Sequence, residues 1–308
     1  MFKYIITLTL AFILFSCNNN TDELKDSFGF FDISKNDNKV VFSYLKRGVG
    51  SSIYEMNIDG TEVKEIISTS DTKNYFRPVY SLDGEKILFL EYDKINLENV
   101  IICLADVDGS NMQRLTEGSE SIITAIFSEY SDEIIYVKAN EYGKSSPIAK
   151  EQAKGMDIYT VNILTKEVKK ITDLNAYGIW HLFEMDSLTL LTHMAGPEGG
   201  MCLIDKEEPT KYNRIVPKNN PRKNASLYYT SVYSEKYNLM VFEAPYELYT
   251  MDMESKIAKS LFYSEGHHIK FITLYNLKPS VLFVIDGELK LSSINLDGTG
   301  FKKIKPIW

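Results

Sequence analysis

The chain has 308 residues, of which 44% are hydrophobic, and its formal net charge at pH 7 is −8. This apolar content is sufficient for a sizeable core. An acidic chain without a Lys/Arg block is poorly suited to bind nucleic acid or an anionic membrane surface, so we expect no nucleic-acid partner. The 20 Tyr and 16 Phe residues favour β-strands.

The N-terminal segment is typical of an exported protein. Lys3 precedes an apolar run over 4–15, which has the length of a signal-peptide core and is too short to span a bilayer. The run ends in Leu14-Phe15-Ser16-Cys17, which resembles a bacterial lipobox, although Phe15 fits that pattern loosely. An uncleaved membrane anchor, or a secretory signal with a chance cysteine, would also fit this segment.

The lipobox resemblance implies cleavage before Cys17 and modification of this residue with a diacylglyceryl group and an N-acyl chain. We therefore expect a signal peptide at 1–16, and the lipidated Cys17 with a polar tether at 17–27. The mature protein would be anchored to a lipid membrane of the bacterial cell envelope, at the outer membrane facing the periplasm or at the cell surface.

From residue 28 to residue 308 one pattern recurs six times. "NIDGTEVKEI" (57–66) returns as "DVDGSNMQRL" (106–115) and "NLDGTGFKKI" (295–304), with fainter copies between them. Each unit reads strand, turn, strand, loop, strand, turn, strand, at about 47 residues per unit, a period typical of four-stranded propeller blades. The predicted blades are 28–68, 75–118, 122–173, 178–218, 227–264 and 268–308.

The turns and the second strand of each unit support this reading. We expect two-residue hairpin turns with positive φ at both central residues, a conformation that Asp-Gly tolerates. The turn residues are Asp59, Gly60, Asp83, Gly84, Asp108, Gly109, Asp297 and Gly298. Units without Asp-Gly should use longer or differently twisted turns. The second strand is apolar on both faces, as in Ile87-Leu88-Phe89-Leu90, which suits a sheet packed between two neighbours.

The repeat resembles the TolB-type, WD40-like (PD40) repeat. The residues that match its first half are Pro78, Tyr80, Ser81, Asp83, Gly84, Lys86, Ile87 and Phe89. Those that match its second half are Ile53, Tyr54, Met56, Asn57, Asp59, Gly60 and Thr61. The resemblance implies an all-β fold, a six-bladed β-propeller with four-stranded antiparallel blades. An all-β sandwich is the alternative, but it does not explain sixfold self-similarity.

Two cysteines remain after Cys17, and in an exported protein they invite a disulfide. Cys103 and Cys202 both fall on predicted third strands, in blades 2 and 4. A whole blade separates them, whereas a disulfide needs Cα atoms within about 7 Å. We therefore predict two free, buried thiols.

One rim of the predicted ring carries irregular connections, at 139–156, 194–200 and 216–226. Long loops on a rigid scaffold often bind ligands, and a tolerated insertion is the alternative interpretation of each. The four histidines, His181, His193, His267 and His268, map towards this rim. The candidate ligand-binding residues are Tyr142, Trp180, His181, Tyr228, Tyr229, His267 and His268. For each tyrosine among them, a place in the core is the alternative.

Two functions fit these residues. The first is a non-catalytic binding or scaffold module for a protein, such as a peptide entering the channel as partners of TolB-like propellers do, or for a glycan. The second is a polysaccharide-processing lyase or hydrolase with its site at the channel mouth, since some propeller-type pectate-processing lyases hold a metal with histidines there. No His-x-His, His-Glu-x-x-His or Gly-x-Ser-x-Gly motif is present, so we predict no catalytic residues, metal or cofactor. A purely structural envelope component remains a third reading.

Overall fold

The computed structural model describes residues 25–96, 98–118, 120–144, 151–196 and 199–308. The predicted signal peptide, Cys17 and most of the tether lie outside these ranges. The described chain is all-β and forms six four-stranded antiparallel sheets, each built from four consecutive strands. The prediction of a six-bladed propeller is therefore confirmed. No helix in the described ranges has the length and apolarity needed to cross a membrane.

The strand bounds follow the repeat. Blades 1 and 2 contain β1 (Ser27–Ile33), β2 (Lys39–Lys46), β3 (Gly50–Asn57), β4 (Lys64–Ile67), β5 (Lys73–Tyr80), β6 (Lys86–Asp93), β7 (Val100–Asp106) and β8 (Gln113–Arg114). Blades 3 and 4 contain β9 (Ser121–Phe127), β10 (Glu133–Lys144), β11 (Glu151–Asn162), β12 (Val168–Lys170), β13 (Ile179–Glu184), β14 (Thr189–Met194), β15 (Gly200–Asp205) and β16 (Asn213–Arg214). Blades 5 and 6 contain β17 (Ser231–Ser234), β18 (Leu239–Ala244), β19 (Glu247–Asp252), β20 (Ala258–Tyr263), β21 (Ile269–Leu274), β22 (Ser280–Ile285), β23 (Leu291–Asn295) and β24 (Lys302–Ile304). Short 3-10 turns occur at Ala225–Leu227 and Glu235–Tyr237.

The core lies between the blades. A hydrophobic cluster fills each interface between neighbouring blades, including the one between blades 6 and 1. The second strands supply both sides of their sheet: Phe89 packs towards blade 1 and Leu90 towards blade 3, and both are fully buried. Burying one such side chain stabilises the fold by about 1.5–3 kcal/mol. Continuous apolarity in these strands is thus explained by packing on two faces.

The Asp-Gly turns differ from the expected two-residue form. In the first, Gly60 N–H donates to the carbonyl of Asn57, and Gly60 has φ of +93°. Asp59 is not among the residues with positive φ, so the expectation of two such residues was wrong. The turn is a standard β-turn followed by one left-handed glycine, the pattern of a three-residue hairpin loop. The Asp59 carboxylate instead accepts hydrogen bonds from the Thr61 amide and hydroxyl.

The other turns repeat this design or lengthen it. Gly84, Gly109 and Gly298 donate to residues three positions earlier, as Gly60 does. In blades 3 and 5 the hydrogen bond that closes the turn spans four positions. The N–H groups of Lys166 and Lys256 donate it, and both residues take the left-handed conformation. The prediction of longer turns in units without Asp-Gly is confirmed there.

The ring closes without exchanging a strand between its first and last blades. The chain segment after β24 crosses to blade 1, where Ile307 N–H donates to the carbonyl of Gly60 at 2.8 Å. Trp308 packs on Tyr44 and Tyr54, with ring centroids 5.0 and 5.2 Å away. The buried Asp37 carboxylate accepts the backbone N–H groups of Asn276 and Leu277 at 2.7 and 2.9 Å. Backbone and side-chain contacts thus close the seam.

Cys103 lies on β7 and Cys202 on β15, the third strands of blades 2 and 4. Both are free and buried, which confirms the prediction. Burial raises the pKa of each thiol to about 12, so both remain protonated at neutral pH.

Candidate functional site: a titratable layer at the channel

The blades place their connections on two rims. The turn rim carries the turns between the first and second and between the third and fourth strands. The link rim carries the second-to-third-strand loops and the links between blades. Because the first strand of every blade runs from the link rim towards the turn rim, equivalent positions lie at the same depth in the ring.

One such position departs from the repeat in two neighbouring blades. The fifth residue of the second strand is buried in every blade, and in blades 1 to 6 it is Ser43, Leu90, Val137, His193, Glu243 and Val284. Blades 4 and 5 therefore bury a titratable group where the others bury an apolar side chain or a hydroxyl. A buried titratable group costs stability unless it is satisfied, so this departure marks a candidate site.

In blade 4 the group is part of a histidine pair. His181 on β13 lies directly opposite His193 on β14. Nε2 of His181 lies 3.0 Å from the carbonyl oxygen of Ser231 in blade 5. Burial is the main cause that lowers the pKa of His181 to about 3 and that of His193 to about 4. Both rings are therefore neutral at pH 7 and can act as hydrogen-bonding groups.

In blade 5 the group is a carboxylate without a close cation. Oε1 of Glu243 accepts a long hydrogen bond, 3.4 Å, from the Thr230 amide, and its buried Oε2 has no partner within hydrogen-bond distance among the described residues. Burial raises the pKa of Glu243 to about 7, against weaker lowering influences from the hydrogen bonds of Thr230 and, least, from the charge of Lys270 in blade 6. Lys270 itself pairs with Asp286 at 2.9 Å. The carboxyl group is thus poised to gain or lose a proton near neutral pH.

Tyr229 connects the two blades. Its ring meets His193 edge-on with centroids 5.4 Å apart. Its pKa is raised by burial and by the nearby charge of Glu243. A continuous polar row therefore runs from blade 4 to blade 6.

The centre of the ring at this depth is occupied by an arginine. Arg77 sits in a β-bulge of β5 with φ of +54°, immediately before Pro78. Its guanidinium lies 3.5 Å from the centroid of Phe30 in blade 1. It donates to Thr124 in blade 3 at 3.3 Å and to the Trp180 carbonyl in blade 4 at 3.5 Å. Burial lowers the pKa of Arg77 to about 9, which still leaves it charged at pH 7.

Phe271 completes this central contact. It also lies in a β-bulge, in β21, with φ of +54°, and its ring centroid is 4.1 Å from that of Phe30. Strained backbone of this kind persists only where the surroundings enforce it, and it concentrates at functional sites. We name the set Arg77, His181, His193, Tyr229, Glu243 and Lys270 the axial layer, and Phe30, Arg77 and Phe271 the axial plug.

The predicted contact residues divide into four groups. His181 and Tyr229 belong to the axial layer, and the Trp180 carbonyl contacts it. His267 and His268 are exposed in the link into blade 6, and the His268 ring is tilted against that of Tyr246 with centroids 4.5 Å apart. These residues lie at or below the link rim of blades 4 to 6, next to the axial layer.

Tyr142 lies elsewhere. The segment predicted as an irregular loop at 139–156 is mostly a hairpin, because β10 and β11 remain paired out to Lys144 and Glu151. Tyr142 is partly exposed on this arm. Residues 145–150 at its tip lie outside the described residues, as do 197 and 198 of the blade 4 loop.

Tyr228 is a core residue and is removed from the candidate site. It is fully buried between blades 4 and 5 and packs edge-on against Phe242. Its hydroxyl accepts from the Arg222 amide and bonds Asn220 at 2.9 Å, which fixes the 216–226 loop. A fully buried side chain offers no surface to a ligand.

Among the described residues, no group of three or more His, Cys, Asp or Glu side chains is arranged to hold a metal ion. His181 and His193 are opposite each other on two neighbouring strands, whereas the His268 ring contacts Tyr246. The histidines of blades 4 and 6 therefore do not form one ligand set here.

Sequence reasoning missed Arg77, Glu243 and Lys270. Glu243 was detectable as the charged residue in "LMVFEA", a strand that is otherwise apolar. Arg77 and Lys270 follow no local pattern, because their partners lie in other blades.

Comparison with known proteins identifies the fold. No protein-family model matches the chain, and no curated protein matches it. Among solved structures, TolB from Acinetobacter baumannii is 14% identical with a TM-score of 0.66, and the match covers 88% of this chain and 64% of TolB. This chain thus spans less than two thirds of TolB.

Two further structures are similar. An oligogalacturonate lyase in complex with manganese has a TM-score of 0.59 at 11% identity, covering 91% of this chain and 78% of the lyase. A chain of a nidogen/laminin complex has a TM-score of 0.53 at 13% identity, covering 77% and 79%. At these identities the likeness concerns the fold alone. The chain therefore has the fold of a TolB-like six-bladed β-propeller.

Proposed function

We propose that this chain is a lipid-anchored protein of the bacterial cell envelope that binds a partner protein on its link rim, over blades 4 to 6. The observation that carries the proposal is the axial layer, in which two neighbouring blades bury a histidine and a glutamate at a position filled elsewhere by Ser, Leu or Val. Stability alone does not require these groups, since four blades manage without them.

The surroundings of the layer suit a binding surface. The Tyr246–His268 pair lies on the rim and the His193–Tyr229 pair beneath it. Aromatic side chains supply large contact areas at low entropic cost and are enriched at binding hot spots. The similarity to a chain of a nidogen/laminin complex shows that such a scaffold occurs in protein assemblies.

Capture of a partner tests the binding function. The full chain, solubilised in detergent, is used to retain proteins from an envelope extract of the source bacterium. We expect one or a few proteins to be retained by the wild type and lost with Tyr246→Ala plus His268→Ala. A matched control pair on the turn rim, Leu82→Ala plus Met112→Ala, should retain them. Equal retention by all three would contradict a site over blades 4 to 6.

The anchor is tested separately. Metabolic labelling with a palmitate analogue should mark the wild type and leave Cys17→Ser unmarked. An unlabelled wild type would remove the lipid anchor from the proposal, with no effect on the binding site.

A polysaccharide lyase is the second candidate. Its support is the fold similarity to oligogalacturonate lyase together with the titratable groups of the axial layer. Incubation with oligogalacturonate, with and without added Mn²⁺, should generate an unsaturated product with ultraviolet absorbance if the chain is such an enzyme. Product formation that is lost with His181→Ala would replace the binding proposal.

A further inference from the structure

We infer that two loop tips on the link rim, in blades 1 and 2, rest on the membrane that holds the lipid anchor. This inference rests on the proposed anchor and adds a second membrane contact, made by the propeller itself with a phospholipid bilayer. The contact consists of two exposed apolar side chains, flanked by cations and held together, beside the point where the anchored segment enters the fold.

The two tips lie where the second strand turns towards the third, at 46–49 in blade 1 and 94–96 in blade 2. Ile95 is the most exposed large apolar side chain in the described ranges, at 86%, and Val49 is 56% exposed. The Lys94 ammonium donates to the carbonyl of Val49 at 2.8 Å, which holds the two tips side by side. Two neighbouring blades thus present adjoining apolar side chains to solvent.

The charge of the tips suits lipid headgroups. They contain Lys46, Arg47 and Lys94 and no Asp or Glu, in a chain with a formal net charge of −8. The carboxylates beside them, Asp26 and Asp93, each accept a backbone N–H of a tip at 2.8 Å. Apolar side chains flanked by Lys and Arg are typical of an interfacial membrane contact, in which the apolar groups enter the acyl boundary and the cations meet phosphates.

The anchored segment enters the fold at these tips. β1 begins at Ser27 at the link-rim end of blade 1, and the bond from Arg47 N–H to Asp26 places the entry against the first tip. Lys25 is eight residues after Cys17, a reach of at most about 28 Å in extended chain. A lipidated Cys17 therefore holds the link rim of blade 1 within that distance of the bilayer. So short a tether gives the tips a high effective concentration at the surface, and a weak contact suffices.

This contact fixes which side of the ring faces the bilayer. The link rim of blades 4 to 6 lies across the ring and stays open to a partner protein. Leu164 is 80% exposed in the turn between β11 and β12, on the turn rim. It therefore points away from the lipid and provides a reference position of nearly the same exposure as Ile95.

Fluorescent probes at these two positions test the contact. The full acylated chain is reconstituted in vesicles of phosphatidylethanolamine and phosphatidylglycerol that contain nitroxide-labelled lipid as a quencher. An environment-sensitive thiol probe is attached to Ile95→Cys or to Leu164→Cys, while the buried Cys103 and Cys202 stay unlabelled. We expect the nitroxide to quench the probe at position 95 at least about threefold more than the probe at position 164. Equal quenching at the two positions would overturn the inference.

A second variant assigns the contact to the apolar tip. With the probe on Val49→Cys, adding Ile95→Asp should reduce quenching about threefold or more, because a carboxylate is excluded from the acyl boundary. The matched change Leu164→Asp should leave the quenching unchanged. An Ile95→Asp chain that is quenched like its parent would refute the contact.

Labelling of the same preparation with the palmitate analogue separates this inference from the anchor. A marked chain whose probe at position 95 stays in water would overturn the membrane contact alone, and an unmarked chain would overturn the contact together with the anchor. Capture of a partner through Tyr246 and His268 does not depend on either result.

Discussion

Two glycines lie where neighbouring blades approach each other closely. A Cβ on Gly109 would lie 2.1 Å from the carbonyl oxygen of Ile66 in the preceding blade, and one on Gly60 would lie 2.3 Å from that of Lys305. At Gly84 nothing lies within 4 Å of the same position, although φ is +76°. The Asp-Gly turns at Gly60 and Gly109 thus serve both chain reversal and packing between blades, whereas a Cβ on Gly298 would meet the nearest carbonyl oxygen only at 3.9 Å.

This contrast gives a matched pair of substitutions. Gly84→Ala should cost only the left-handed backbone strain, about 1 kcal/mol. Gly109→Ala adds a clash with backbone and should cost about 3 kcal/mol in total, so its melting temperature should fall further. Thermal unfolding followed by circular dichroism measures both. Equal losses for the two variants would show that the close approach to Ile66 is not energetically important.

Glu243 and Glu91 show two ways to bury a carboxylate. Glu91 is fully buried but pairs with Arg114 and, at 3.5 Å, with Lys73. Glu243 has no ion pair within the described ranges, and burial raises its pKa from 4.5 to about 7. Between these two pH values the unfolded chain has lost this proton and the folded chain has kept it. The resulting stabilisation is present at low pH and is lost as the pH rises through about 7.

Glu243→Gln should therefore gain stability relative to the wild type as the pH increases. The difference in melting temperature, variant minus wild type, should rise by about 2–5 °C between pH 5 and pH 8. Other titrating groups, such as His181 and Asp32, are present in both proteins and cancel in the difference. Glu91→Gln is the control and should destabilise at pH 8, because Arg114 and Lys73 lose their partner. A flat difference for Glu243→Gln would mean that its pKa is not raised.

At the scale of elements, the third strands carry both thiols in closed interfaces. Cys103 faces the interface between blades 1 and 2, and Cys202 that between blades 3 and 4. With no exposed sulfur and a raised pKa, neither presents a thiolate at neutral pH.

We expect both thiols to react with a disulfide reagent at least about 100-fold more slowly in the native protein than in urea. In urea, two thiols per chain should be titrated if the Cys17 sulfur carries a diacylglyceryl group, and three if it does not. Fewer than two in the absence of reductant would show a disulfide and contradict the free thiols of this structure.

The first strands, in contrast, carry bulged residues that lie at the axis of the ring. The bulges of β5 and β21 turn Arg77 and Phe271 to the axis, where the regular pleat would have sent them to a neighbouring sheet. The two left-handed residues cost on the order of 1–3 kcal/mol each. The contacts of Phe30 with both of them hold this arrangement in place.

For the molecule as a whole, the seam between blades 6 and 1 decides whether the ring stays closed. Other neighbouring blades share a covalent link, whereas this pair relies on Asp37, the Ile307 amide and Trp308. Similar inter-blade bonds occur elsewhere, for example from Lys218 N–H to the Lys256 carbonyl. The C-terminal segment thus makes inter-blade hydrogen bonds at the seam, as the links do between other blades.

Asp37→Gly should weaken the seam without backbone strain, because φ of Asp37 is +56° and glycine accepts that conformation. Losing its bonds to two backbone amides should cost about 2 kcal/mol, or a fall of about 4 °C in melting temperature. Hydrogen exchange should accelerate at the amides of Asn276 and Leu277. Asp83→Gly, which removes contacts within a single turn, is the control and should leave these two amides protected. Protection that persists in Asp37→Gly would place the closure elsewhere.

Much of the candidate site was out of reach of sequence reasoning. His181, Tyr229 and His268 were found because aromatic and histidine residues near a predicted rim are few. Tyr228, adjacent in sequence and identical in type to Tyr229, proved to be core. Packing of Phe242 against the Tyr228 ring and bonds of its hydroxyl to Arg222 and Asn220 distinguish Tyr228 from Tyr229.

The sequence by itself determined the number of blades, the order of their strands and the separation of the thiols, because each depends on a local pattern repeated at a fixed spacing. The tertiary structure decided which residues share a depth in the ring. By similarity of letters, "LFLE" and "MVFE" align Glu91 with Glu243, but the strand registers make Glu243 of blade 5 equivalent to Leu90 of blade 2 instead. It also decided what fills the axis, since Arg77 and Trp180 are 103 residues apart and meet only when the ring is closed.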